Sequence, residues 1–153
     1  MPESPPTLIA IDHDDYHAEF VGKTSDGRQF FLTNPFVPRS ADNPGREFLA
    51  LYIFDSRGVL IEAKIEDFGT RPNRDHEMDL DSRESLRDTW LNDLGPKNYQ
   101  RIQVAPFSLE RFGTTFGLIS EAPSEDRDTW IVTVEPGNFM AFFEPWDSGI
   151  YDT

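Results

Sequence analysis

Three tight turns punctuate this chain, each between two runs of strand-forming residues: Ser25-Asp26-Gly27-Arg28, Asp55-Ser56-Arg57-Gly58 and Glu135-Pro136-Gly137-Asn138. Glycine reaches positive φ without steric cost, and the polar residues and proline around it favour a reversal, so the strands on either side of each turn are expected to pair antiparallel. A chain divided in this way is committed to hairpins.

The flanking segments carry the period of two that a half-buried strand needs. From Tyr16 to Thr24, Tyr16, Ala18 and Phe20 fall on one face and His17, Glu19 and Lys23 on the other, and Gln29 to Thr33 returns with Phe30 and Leu32 together. Phe48 to Phe54 is apolar on both faces, the mark of a central strand covered on both sides. Beyond Gly58, Val59, Ile61, Ala63 and Ile65 form a dry face against Leu60, Glu62, Lys64 and Glu66. Strands follow over Tyr99 to Ala105, Thr115 to Glu121, Thr129 to Glu135 and Asn138 to Glu144, with Phe139 to Phe143 again apolar on both faces.

One helix is expected, over about residues 82–94. Asp81 is placed to cap it, with Glu84 three positions on as in a capping box. Leu86, Trp90 and Leu94 recur every fourth residue with Leu91 beside them, and Gly95-Pro96 stops the helix. Such an amphipathic helix must lie on a sheet. The expected fold is a single α+β domain spanning 1–153: a mostly antiparallel sheet of seven or eight strands built from hairpins, with the helix on one face. Residues 1–7 read as a loose lead and 145–153 as a tail docked by Trp146, Ile150 and Tyr151. Since two strands are apolar on both faces, something besides one helix must cover the sheet: loops, the tail, curling toward a barrel, or a second subunit in a homodimer.

Composition excludes several chemistries. There is no cysteine among the 153 residues, which removes disulfides, thiolate metal sites and cysteine nucleophiles. The 28 acidic residues against 14 basic ones give a net charge of −14, which repels phosphate backbones and anionic lipid heads; neither nucleic acid nor membrane is an expected partner. With no signal-like start and no long apolar run, the expected location is cytoplasmic. No phosphate loop, dinucleotide fingerprint, nucleophile elbow or paired-histidine zinc motif occurs, so nothing in the sequence marks an enzyme.

The candidate sites lie in the irregular stretches. Asp75, Glu77, Asp79 and Asp81 alternate like the oxygen ligands of a calcium loop, and Ca²⁺ or Zn²⁺ is the cofactor such a loop would take, yet the glycine and terminal glutamate of an EF-hand are missing. Asp79 and Asp81 also suit the positive end of the helix that follows. His13, Asp15 and His17 share one face of an extended segment, a ligand set for zinc or iron. Glu144, Asp147 and Asp152 stand near Trp146, as carboxylates beside an aromatic platform do at a carbohydrate site.

Three functional expectations follow, the third of them a divalent-cation-binding protein acting through the 75–81 loop. The first is a non-enzymatic interaction or regulatory protein, inhibitor-like or immunity-like, that meets a basic protein partner through Asp75, Glu77, Asp79, Trp146 and Asp147, because complementary charge steers association. The second is a small-ligand binder or hydrolase with a pocket between the sheet and the 34–46 loop, lined by Phe36 and Trp146.

Overall fold

The computed structural model describes residues 6–13, 19–38, 40–42, 44–70, 80–137, 140–143, 146 and 149–151, with the backbone alone at 70, 80–82, 140 and 149–151. Among these residues there are β1 (Ile9–Ile11), β2 (Phe20–Thr24), β3 (Gln29–Thr33), β4 (Phe36–Val37), β5 (Arg46–Phe54), β6 (Leu60–Thr70), α1 (Leu80–Asp93), β7 (Lys97–Tyr99), β8 (Ile102–Val104), β9 (Phe107–Arg111), β10 (Thr114–Glu121), β11 (Ile131–Glu135), β12 (Met140–Phe142) and β13 (Gly149–Tyr151). They form three antiparallel sheets: β4-β5-β3-β2-β7 with β6 on the other side of β5, then β13-β12-β11-β10-β9, then the pair β1-β8. None closes into a barrel, so the expected curl is replaced by separate sheets, and the strands outnumber the seven or eight read from the sequence.

The first two turns share one geometry. Thr24 N–H donates to the Arg28 carbonyl at 2.9 Å and Asp55 N–H to the Val59 carbonyl at 2.9 Å, each closing a three-residue loop. The third loop residue is a glycine at positive φ in both, Gly27 at 92° and Gly58 at 91°. This is the type I turn followed by a left-handed residue that suits three-residue hairpins. A further hairpin, β9-β10, turns at Phe112 (φ 53°) and Gly113 (φ 70°). Gly113 marks the break in the sequence, whereas phenylalanine is atypical in the left-handed region, so the part Phe112 plays in the turn has no local signal.

Strand β5 runs through the middle of the largest sheet and is buried from Phe48 to Phe54. Its alternate residues feed two separate cores. Leu49, Leu51 and Ile53, with Phe30 and Leu32 of β3, meet Leu91 of α1 and Leu94 just past its end, while Leu86 and Trp90 pack at the margin. Ala50, Tyr52 and Phe54 face the other way, onto Ile9 and Ile11 of β1 and onto Leu118, Val132, Val134 and Phe142 of the second sheet. The cover the sequence leaves unassigned is therefore a second sheet and a β-pair of the same chain. Helix α1 begins at Leu80, which puts Asp81 inside its first turn instead of ahead of it.

Two bulges correct the reading of β6. Phe54 faces Leu60 and Ile53 faces Glu62, so Ile61 is the extra residue of a β-bulge. The bulge inverts the alternation at that point: Leu60 packs on the core with Ala63 and Ile65, while Ile61 is 55% exposed. Strict alternation assigns Leu60 and Ile61 to the opposite faces. A second irregularity lies between Arg46 and Phe48, where Arg46 Nη1 donates to both Asp67 carboxylate oxygens at 2.8 Å and Gly69 N–H donates to Asp67 at 2.7 Å.

The 99–105 segment is likewise not one strand. Tyr99 ends β7, on β2, and Ile102 begins β8, on β1, so the chain changes sheets across Gln100 and Arg101. At the other end of the large sheet, β4 continues β3 alongside β5 in unbroken register, with Thr33 facing Ala50 and Phe36 facing Glu47. Pro35 lacks a donor but still accepts from Phe48 N–H at 3.0 Å, which is how a proline-rich stretch stays on a strand.

Candidate functional site

The crossing from β7 to β8 creates a cleft. Its walls are Leu8, ahead of β1; Lys23, near the end of β2; Ser56 and Arg57, at the tip of the β5-β6 hairpin; and Arg101 and Gln103, on the β8 side; Gln29 of β3 also lines it. The cleft has a volume of about 610 Å³, within the range of small-molecule sites.

Gln29 holds the walls together. It is 4% exposed, and its side chain spends both ends on backbone: Nε2 donates to the Asp55 carbonyl at 3.1 Å, and Oε1 accepts from Gln103 N–H at 2.8 Å. A buried amide with donor and acceptor both satisfied specifies geometry, because moving either wall leaves a polar group dry. The hairpin tip is fixed to β8 a second time, by Ala105 N–H donating to the Gly58 carbonyl at 2.8 Å. Gly58 comes so close that a Cβ there would stand 2.6 Å from the Gln103 carbonyl oxygen. On the other side, the β2-β3 turn is braced by Arg28, whose Nε lies 3.1 Å from Asp26. Hydrogen bonds from Thr24 and then Arg28 hold the Asp26 carboxyl below its ordinary pKa.

The electrostatics of the cleft run against those of the chain. In a protein of net charge −14, Lys23, Arg57 and Arg101 line one concavity. Arg101 Nε lies 3.3 Å from Asp12. Among the described residues neither Lys23 nor Arg57 forms an ion pair, whereas Arg28, Arg46, Arg83 and Arg87 all do. With the Ser56 hydroxyl and the Gln103 amide, the lining offers ammonium, guanidinium, hydroxyl and amide donors, a set matched to an oxyanion.

None of the described residues singled out from the sequence lines this cleft. Asp75, Glu77, Asp79 and Asp147 fall outside the described residues, as do Asp15, His17, Glu144 and Asp152; Asp81 is described by its backbone in α1. His13 stacks on Tyr99 with ring centroids 5.8 Å apart. No group of three or more metal-ligating side chains gathers among the described residues. Trp146 packs half-buried against the core between the sheets, and its carbonyl accepts from Ala10 N–H of β1 at 2.8 Å. Neither Trp146 nor Phe36 lines the described cleft.

Sequence reasoning passed over Lys23, Gln29, Arg57, Arg101 and Gln103. One signal was available: Lys23 and Arg57 sit at hairpin turns in a chain poor in cations, and Gln29 opens an otherwise apolar strand. Nothing local relates positions so far apart along the chain. Compared with known protein families, curated proteins and solved structures, the chain matches none.

Proposed function

We propose that this protein binds a small anionic molecule in the cleft between the β5-β6 hairpin tip and β8. The observation that carries this reading is the gathering of Lys23, Arg57 and Arg101 from separate segments of a strongly acidic chain onto one concave surface. Free cations on such a surface would ordinarily find carboxylates, as most of the described arginines do. Lys23 and Arg57 are held where an incoming ligand can supply the negative charge.

Titration calorimetry with small carboxylates, sulfate and phosphate tests the reading. Saturable binding is expected, and Lys23→Met or Arg57→Met should weaken it about tenfold or more, the value of one charge-assisted hydrogen bond. The thermal midpoint should hardly move, because neither side chain has an ion pair to lose among the described residues. Heat signals that survive both substitutions, or none with any anion, would count against the site.

The charge ledger favours a second reading, the interaction protein with a basic partner. With 28 acids against 14 cations, and most described arginines already paired, the remaining carboxylates give the exterior a negative field. Glu62 and Glu66, both exposed, extend that field along β6. A partner retained at low ionic strength should be released by roughly 1 M salt, where screening acts within about 3 Å. Glu62→Lys with Glu66→Lys should reduce its retention; retention indifferent to salt and to charge reversal would rule this reading out.

A further inference from the structure

Resting on the anion-binding reading of the same cleft, we infer that its ligand is a phosphate monoester: a dianionic head held by Lys23 and Arg57, with an apolar body against Leu8. The first argument is a charge count. Asp12 already faces Arg101 at 3.3 Å, which leaves Lys23 and Arg57 as the two cations of the cleft lining without an ion pair among the described residues. A single carboxylate would neutralise one of them and leave the other cation of the same cleft without a counter-charge. A phosphate monoester carries about −1.5 to −2 charges at pH 7 and satisfies both.

The second argument is the donor count. An ester phosphate presents three terminal oxygens, and the lining supplies the Arg57 fork, the Lys23 ammonium, the Ser56 hydroxyl and the Gln103 amide. A carboxylate has two oxygens and would leave donors without acceptors. The third is the one apolar wall. Leu8 is 39% exposed and its side chain lies beside Gly58 at the cleft. An inorganic ion makes no use of that surface, whereas an aromatic or aliphatic ester body covers it.

The probes are phenyl phosphate, benzoate, phthalate and inorganic phosphate, titrated into the full chain at pH 7.5. Phenyl phosphate should bind about tenfold or more tighter than benzoate, which has the same ring and one charge. It should also bind more tightly than inorganic phosphate, and Leu8→Ser should remove that second difference. Arg57→Met should bring phenyl phosphate down toward benzoate. Equal affinity for benzoate and phenyl phosphate would overturn the dianion inference while leaving an anion site intact. Phthalate binding as tightly as phenyl phosphate would overturn the preference for phosphate. Equal binding of phenyl phosphate and inorganic phosphate would remove the apolar body. If no probe binds, the anion-binding reading itself fails. Circular dichroism of each variant separates lost binding from lost fold.

Discussion

Replacing Phe116 with alanine should destabilise the protein by about 3–5 kcal/mol, the usual cost of emptying a buried aromatic site. Phe116 sits on β10 with no exposed surface, and its ring meets Phe48 of β5 edge to face at 4.9 Å. Phe48 in turn stacks on Phe112 at 6.1 Å, so the residues join the large sheet to the β9-β10 hairpin. The alanine variant loses the transferred area and the aromatic pairing, and rigid strands on both sides keep the space from collapsing. Urea denaturation should show a lower midpoint at an unchanged slope. A loss below about 1 kcal/mol would mean that the two sheets do not depend on this contact.

Gly58→Ala should be nearly as damaging, for a different reason, and it should also abolish ligand binding. Its φ of 91° lies in the left-handed region, where a Cβ costs about 1 kcal/mol or more. The larger penalty is the approach to β8: the new methyl would stand 2.6 Å from the Gln103 carbonyl and 2.9 Å from Val104 Cα, both backbone. Either the hairpin tip or β8 must shift, and forced overpacking costs about 1–3 kcal/mol in addition. The shift would also strain the Gln29 bridge to Asp55 and Gln103. Gly27→Ala is the matched control, because Gly27 has the same turn geometry at φ 92° and open space around it. The Gly27 variant should lose only the backbone share of stability and keep its anion affinity. If the two variants lose equal stability and equal affinity, the hairpin tip does not set the cleft.

These two glycines mark the limit of what could be read along the chain. Their Ser-Asp-Gly and Ser-Arg-Gly loops are alike in sequence, and their turn conformations are alike because local chemistry decides them. A Cβ on Gly58 would run into β8 and one on Gly27 would meet nothing within contact distance, a difference with no local cause. Similarly, FLALYIF reads as a doubly covered strand because both sets of alternating residues are apolar. The identity of its two covers, α1 on one side and a second sheet with β1-β8 on the other, depends on residues from most of the chain. The failures follow the same division. Ile61 is assigned to the wrong face because a bulge is a two-strand event, and the left-handed φ of Phe112 beside the Gly113 break goes unread because phenylalanine does not mark such a position.

The acidic balance of the chain is legible too, but it draws attention to carboxylates when the described cleft is lined by cations. Lys23, Arg57 and Arg101 are ordinary wet-face or turn residues where they stand, and each looks like a solubilising charge. What the sequence determined by itself is therefore whatever rests on neighbours within a few residues: the turns at Gly27 and Gly58, the alternation of β3 and β5, and the apolar stripe of α1. Only the tertiary structure decided which sheets form, where β6 bulges and which charges meet. Those depend on contacts closed over long stretches of chain, through a buried glutamine and a glycine with no room for a side chain.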